Sequence, residues 1–379
     1  MLSNSPSPLH PNSSAPKHPD SLAPLHPNSP APLLLVTGGA GFIGCNLVRW
    51  LLALGKRVRI FDNFSTGKRE NIQAILNQLN AKNAMNAINP ITPSSFNHLP
   101  FNQLSVSNNL EVVEGDLRDF NLLNEAMKGI ETVFHQAALP SVYRSIIAPG
   151  TTNNVNITGT LNVLQAARAN GVKRVIYASS SSIYGDSPVL PKTEEMLPQP
   201  VSPYAVSKLA GEHYCRVFSR IYDLETIVLR YFNVYGPCQD PSSEYSGVIA
   251  KFINAFLAGK PVMVYGDGEQ TRDFTYVDDV VEANILASQA QQSGEVFNVA
   301  GGNRFSLNRM IEILKSVFNK SDYTVAYAKS RAGDIQHSQA DVSKVKERLG
   351  FAAKIPFETG LQKTVDWYKS NYQRDREKG

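Results

Sequence analysis

Cysteine is scarce in this chain: three residues in 379, at Cys45, Cys215 and Cys238. They are too few, too far apart along the sequence and odd in number for a disulfide framework or a zinc cluster, so they read as reduced thiols of a cytoplasmic protein without a bound metal. No apolar run approaches the ~20 residues that a membrane span needs. The N-terminal stretch has neither a basic segment nor the apolar core of a secretion signal, so no membrane association is expected. Neither sign of charge dominates: 37 basic and 33 acidic residues leave a formal net charge of +4. The basic residues form no stripe, which argues against nucleic acid as a partner. With 42% hydrophobic and 18% charged residues the composition is that of a globular protein, long enough to bury an enzyme-sized core.

Residues 1–31 are mostly Pro, Ser, Asn and His and carry a near repeat, Pro8-Leu9-His10-Pro11-Asn12 against Pro24-Leu25-His26-Pro27-Asn28. So little apolar surface cannot offset the entropy of ordering, and a disordered tail is expected. His10 and His26 then read as solvated rather than as metal ligands. A second polar stretch at 77–109, rich in Asn, Ser and Pro, reads as an insertion. Around it, short apolar runs at 33–37, 57–62, 111–115, 132–135, 175–178 and 226–230 predict strands. Helical periodicity predicts helices at 42–54, 121–127, 153–169 and 203–222. Strand-then-helix alternation implies an α/β fold, a doubly wound parallel sheet of the Rossmann type over 32–235. A smaller α/β substrate-binding lobe is expected over 236–379, with 295–301 returning to the main sheet.

The segment Gly38-Gly39-Ala40-Gly41-Phe42-Ile43-Gly44 follows the first strand and opens the first helix. Its G-x-x-G-x-x-G spacing gives a tight turn, lets backbone approach a pyrophosphate and aims a helix N-terminus at it. Asp62 ends the second strand, where a carboxylate accepts both adenosine ribose hydroxyls and repels a 2′-phosphate, pointing to NAD. Lys68 and Arg69 farther along have the opposite charge and leave NADP open. Asp62 also fits a turn or helix cap, since Asn63 and Ser65 follow. Asp116, after the third strand, carries the same ambiguity.

Tyr204 and Lys208 sit four apart near the start of a helix that Ser202 or Pro203 can initiate, so both heads share one face. A phenolate base near neutral pH requires a fall of roughly 3 pKa units, or about 4 kcal/mol, from the ordinary tyrosine value. A neighbouring ammonium and a positive nicotinamide ring have the right sign to supply it. The run Ser179-Ser180-Ser181-Ser182 follows a strand at the sheet's carboxyl edge, where hydroxyls can donate to a sugar oxygen or simply form a turn.

Together, in this order, these three features resemble the extended short-chain dehydrogenase/reductases, and the likeness runs from Leu33 to Trp367. It is greatest to the UDP-N-acetylglucosamine and UDP-glucose 4-epimerases, through His135-Gln136-Ala137-Ala138-Leu139, Arg230-Tyr231-Phe232-Asn233-Val234-Tyr235-Gly236 and Arg331-Ala332-Gly333-Asp334 with Gln336-His337-Ser338. The resemblance implies Tyr204 as base, Ser180 as catalytic hydroxyl and Lys208 as the partner that also holds the nicotinamide ribose. It implies NAD contacts from Gly38, Gly41, Phe42, Ile43, Gly44, Asp62, Asn63, Ser65, Gly67, Asp116 and Leu117. Further contacts would come from Gln136, Ala137, Ala138, Asn156, Tyr231 and Val234. The UDP-sugar would meet Ser141, Ser180, Ser181, Ser182, Asn233, Gly247, Val248, Met263, Val264, Tyr265, Arg272, Arg331 and Ser338. Two arginines suit a diphosphate; Arg272 with Asp273, or Arg331 with Asp334, suits a surface ion pair equally.

The 4,6-dehydratases that resemble this chain carry Asp-Glu where Ser181 and Ser182 stand, and the UDP-glucuronate decarboxylases carry Glu at 182, so neither reaction is expected. A UDP-glucuronate 4-epimerase shares the serine run and stays open, as does a non-catalytic NAD-binding scaffold. In the resembling epimerases the position of Ser338 gates the sugar's 2-substituent, and serine leaves space for N-acetyl. Ser141-Val142-Tyr143-Arg144-Ser145 resembles the N-acetylhexosamine branch, except that Tyr143 stands where that branch commonly has Pro. The family further implies a homodimer in which the helices at 153–169 and 203–222 pair across a two-fold axis.

Overall fold

The computed structural model describes residues 32–85, 104–107, 109–240, 247–330 and 336–378. The tail at 1–31 and Arg331 lie outside them. In chain order the first half is β1 (Leu33–Thr37), α1 (Phe42–Ala53), β2 (Arg57–Asp62), α2 (Arg69–Met85), β3 (Leu104–Ser107), β4 (Leu110–Glu114), α3 (Phe120–Ala126) and β5 (Ile130–His135). It continues with α4 (Val142–Ile147), α5 (Pro149–Asn153), a π-turn (Asn154–Thr158), α6 (Gly159–Ala169), β6 (Arg174–Ser180), α7 (Pro203–Ile221) and β7 (Glu225–Tyr231). The rest comprises β8 (Val234–Tyr235), α8 (Val248–Ala258), β9 (Val262–Tyr265), β10 (Thr271–Asp273), β11 (Thr275–Tyr276), α9 (Val277–Gln289) and β12 (Glu295–Val299). It closes with β13 (Arg304–Ser306), α10 (Leu307–Phe318), β14 (Val325–Ala328), α11 (Ser343–Leu349) and α12 (Phe357–Lys378).

Eight strands form the main sheet in the order β12-β7-β6-β5-β1-β2-β4-β3. Seven are parallel, and β3 pairs antiparallel to β4 at one edge. Both faces are buried. Val36, Val58 and Ile60 pack against Leu47 and Leu51 of α1, Ile72 and Ile75 of α2 and Val280 of α9. Leu35, Val133, Val175 and Val228 pack against Leu123 of α3, Val163 of α6 and Phe218 of α7. Successive strand residues face opposite layers, which is why these strands read as unbroken apolar runs. A separate cluster joins α8, α10 and α12 through Phe252, Ile253, Met310, Leu314, Phe357 and Leu361. Residues from Pro32 onward belong to one compact unit.

Two differences from the sequence reading have local causes. The stretch at 77–109 is regular at both ends, because helix-favouring residues carry α2 to Met85 and the backbone from Leu104 ladders onto β4. The helix expected over 153–169 begins earlier, at Pro149, and passes through the π-turn before α6. A π-turn inserts one extra residue into the winding, and here it faces Asn156 inward.

Candidate active site

A cavity of about 990 Å³ opens at the carboxyl ends of the parallel strands, where open sheets bind ligands. That is the upper end of the roughly 300–1,000 Å³ seen for ligand pockets, so two extended ligands can share it. At one end Gly38 turns the chain out of β1 with φ +69°, its N–H donating to the Phe61 carbonyl at 2.9 Å. A Cβ on Gly44 would stand 2.0 Å from the Gly38 carbonyl oxygen, so this turn admits only glycine there. Gly41 caps α1 without a side chain, which leaves the first-turn N–H groups of Phe42, Ile43 and Gly44 directed at the cavity. An uncapped helix N-terminus facing a cavity fits a diphosphate.

The Asp62 carboxylate accepts from the Ala40 N–H at 2.9 Å and from the Phe64 N–H at 2.8 Å. It thus clamps the glycine turn, while each oxygen keeps a lone pair for a ribose hydroxyl. Burial raises its pKa and the two backbone bonds oppose that. Asp116 receives Arg118 Nε at 2.8 Å and Asn63 Nδ2 at 2.8 Å, and the Arg118 bond holds it well below the usual carboxylate range. Both aspartates line the cavity, with Asn63, Ser65, Gly67 and Leu117 beside them. Gln136, Ala137, Ala138, Tyr231 and Val234 complete that wall.

At the other end, β6 delivers the serines and α7 delivers Tyr204 and Lys208. Ser202 Oγ accepts from the Ala205 N–H at 3.2 Å and Pro203 fills the first helical position, which starts α7 one residue before Tyr204. Strand alternation then separates the serines. Ser179 turns into the interior and donates to Glu212, whereas Ser180 faces the cavity, accepts from the Ser182 N–H and stands near enough to the Tyr204 phenol to lower its pKa. Ser182 Oγ is buried with no hydrogen-bond partner and lines the cavity, a vacant donor for a ligand oxygen.

Lys208 Nζ donates to the Ala178 carbonyl at 2.8 Å and lies 6.0 Å from the Tyr204 ring centre. The expectation that this ammonium depresses the phenol is not met in the protein alone. Burial pushes Tyr204 up, and the opposing pull comes from the Ser180 hydroxyl. Burial also lowers Lys208 to about 8 against the raising effect of Cys215 and Glu212. His135 behind them is held neutral, lowered to about 3 by burial and then by Lys208. Beneath the serines, Glu212 and Arg230 form a buried pair at 2.8 Å, each 4% exposed, and Arg230 Nη1 donates to the Tyr184 hydroxyl at 2.8 Å.

Of the expected sugar-side residues, Ser141, Ser181, Asn233, Gly247, Arg272 and Ser338 also line the cavity. Asn233 Nδ2 donates to the Asp273 carbonyl at 2.8 Å, and Arg272 Nη1 to the Thr271 carbonyl at 3.0 Å. The Asp273 carboxylate accepts from the Gly302 and Ala340 N–H groups. Some expected contacts do not reach the wall. Asn156 is 1% exposed; its Oδ1 accepts from the Leu139 N–H at 2.8 Å and its Nδ2 donates to Ser207 Oγ, which donates to the Tyr204 carbonyl. It therefore supports the Tyr204 helix from behind. Val264 is fully buried in its own cluster, and Val248, Met263 and Tyr265 stand outside the lining.

Sequence reading missed other wall residues. Lys192 lines the cavity beside Ser338, its strand-like backbone bonding Gln339 and Asp341, and its ammonium donates to the Ser187 carbonyl. Cys238 also lines it and packs against the cluster that contains Cys45, so two thiols far apart along the chain lie on neighbouring segments in space. Neither had a local signal, because both placements arise from long-range contacts. Among the described residues no group of His, Cys, Asp and Glu could hold a metal, and no helix is long and apolar enough to cross a membrane.

Comparison with known proteins agrees with this geometry. Residues 34–300 match the model of the NAD dependent epimerase/dehydratase family. A UDP-glucose 4-epimerase of Mycolicibacterium smegmatis is 35% identical over 341 residues, spanning 89% of this chain and 99% of its own. A UDP-glucuronate 4-epimerase of Thermodesulfobacterium geofontis is 35% identical over 344 residues, spanning 89% and 97%. A solved UDP-N-acetylglucosamine 4-epimerase of Methanobrevibacter ruminantium, in complex with UDP-N-acetylmuramic acid, superposes with a TM-score of 0.78 at 39% identity over 90% of this chain and 99% of its own. A chain that shares this sheet, this glycine turn and nearly the full length of such relatives belongs to the NAD dependent epimerase/dehydratase family.

Proposed function

We propose that the protein is a UDP-sugar 4-epimerase that interconverts UDP-GlcNAc and UDP-GalNAc and also accepts UDP-Glc and UDP-Gal. The observation that carries this reading is that Tyr204, Lys208 and Ser180 line one cavity with the glycine turn. NAD, when bound, supplies a hydride acceptor that oxidises the sugar at C4 and then returns the hydride. Tyr204 takes the C4 hydroxyl proton and later gives it back. Ser180 holds the same sugar oxygen, and Ser182 Oγ offers a further donor. Asn233 and Arg272 hold the nucleotide end. No side chain at 181 or 182 can do acid–base work at C5 or C6, so chemistry stops at C4. Ser338, 9% exposed in the wall, leaves room for a 2-N-acetyl group.

Lys192 favours a second reading, UDP-glucuronate as substrate. Lys192 lines the same wall as Ser338, on a backbone paired with Ala340, and a sugar carboxylate there would add an opposite charge to an ammonium that otherwise donates to the Ser187 carbonyl. Incubating the purified protein separately with UDP-GlcNAc, UDP-Glc and UDP-GlcA and resolving the C4 epimers separates the two. Bound NAD without turnover of any of the three would leave a scaffold role instead. We also infer a homodimer: α4 and α7 expose Tyr143, Ile146, Ile147, Val206 and Ile221, an apolar surface that a second copy would cover. Sedimentation at the monomer mass would refute it.

A further inference from the structure

Cys45 lies in α1 directly after Gly44, and Cys238 follows β8. Asn46 Nδ2 donates to the Pro237 carbonyl at 2.9 Å, which fastens the two stretches of backbone side by side. Cys238 packs against the core cluster that contains Cys45, and both thiols are free. The two sulfurs are unlike. Cys45 is 2% exposed, whereas Cys238 is half-buried, opens on the cofactor cavity and sits on a left-handed backbone with φ +70°. The neighbouring Cys45 thiol and the positive Arg49 one turn along α1 lower the Cys238 thiol against its own burial, whereas Cys238 and burial raise Cys45. A cavity-facing thiol with a second, buried thiol on the segment packed behind it has the arrangement of an attacking and a resolving cysteine.

We propose that Cys238 and Cys45 form a modification site for low-molecular-weight disulfides of the glutathione class, ending in a Cys45–Cys238 bridge. The Cys238 thiolate attacks one sulfur of the small disulfide, which breaks the S–S bond and expels one small thiolate. Cys45 then attacks the Cys238 sulfur, losing its proton to the second departing thiolate. In sum two protein thiols are oxidised to one disulfide, and one small disulfide is reduced to two small thiols. The bridge joins the helix behind the glycine turn to the segment carrying Asp240, which pairs with Lys68 at 3.0 Å across the cavity rim. Resolution by Cys45 also clears the adduct from the cavity; a permanent adduct on Cys238 would occupy space where the cofactor wall stands. Cys215, fully buried on the inner face of α7 and pushed up by burial, takes no part.

The test is thiol titration in denaturant after exposing the purified protein to oxidised glutathione, followed by peptide mapping. The wild type should lose two of its three thiols, yield a Cys45–Cys238 peptide and regain all three on reduction. Cys45→Ser should instead keep a glutathione on Cys238, and the NAD-stripped variant so modified should take up no NAD. Cys238→Ser should keep both remaining thiols. A wild type that retains three thiols, a lasting adduct on the wild type, or a bridge that includes Cys215 would each overturn the proposal.

Discussion

Replacing Lys208 with methionine should abolish turnover and yet stabilise the protein at neutral pH, because the native ammonium is held at a cost. The lysine is 4% exposed, and burial lowers its pKa from 10.5 to about 8. At about 1.4 kcal/mol for each tenfold change in proton affinity, keeping it protonated costs roughly 3 kcal/mol. Methionine matches most of the stem's volume, so no large cavity opens. The bond to the Ala178 carbonyl disappears, which takes back about 1–2 kcal/mol and leaves a net gain of about 1–2 kcal/mol.

The sign of the pH dependence identifies the cause. Folded Lys208 sheds its proton near 8, whereas an unfolded lysine keeps it to about 10.4. Between those values the unfolded chain binds more protons, so wild-type stability rises with pH through that window. Methionine does not titrate, and the variant's advantage should shrink by about 2 kcal/mol between about pH 7 and about pH 9.5. Urea unfolding of both proteins, stripped of NAD so that ligand binding does not enter, measures the difference at each pH. A variant less stable than wild type at neutral pH, or a gap unchanged by pH, would refute the burial argument.

Tyr204→Phe removes the proposed base alone, so the protein should retain NAD while C4 epimerisation falls about 10²–10⁴-fold in a coupled UDP-sugar assay. Ser338→Tyr fills the wall opposite the serines and should end UDP-GlcNAc turnover while sparing UDP-Glc; equal loss of both would dismiss the gate. Glu212→Leu leaves the Arg230 guanidinium buried without its carboxylate. The loss should be about 3–5 kcal/mol in urea unfolding, and an unchanged midpoint would show that Tyr184 alone satisfies the arginine.

What the sequence discloses and what it hides divide by range. The glycine turn, the position of Asp62 at the end of β2 and the Tyr204/Lys208 pair were legible because each is a local geometry: one turn between strand and helix, one strand end, one helical repeat. The separation of Ser179 from Ser180 follows from strand alternation once β6 is known. Asn156 was read as a cofactor contact, yet the π-turn directs it to Leu139 and Ser207, and no residue pattern announced that extra winding. Lys192 reaches the wall only because its backbone bonds Gln339 and Asp341, and Cys45 meets Cys238 only because α1 packs against the turn after β8. Pairings across so much chain are decided by packing, which periodicity does not encode.

From the sequence, two positive charges have the right sign to pull the Tyr204 phenol down, the Lys208 ammonium and a nicotinamide ring. In the folded protein the phenol and the ammonium lie in the same dry layer, and burial acts on each before either acts on the other. Burial favours the neutral phenol and the neutral amine alike, so the pair by itself holds its proton on Tyr204. Ser180 offsets part of this through its hydrogen bond, but a hydroxyl carries no net charge. The remaining pull has to come from positive charge delivered with the ligands that fill the cavity. On the proposed mechanism Tyr204 becomes basic only when the site is loaded, which would confine proton abstraction to a bound substrate.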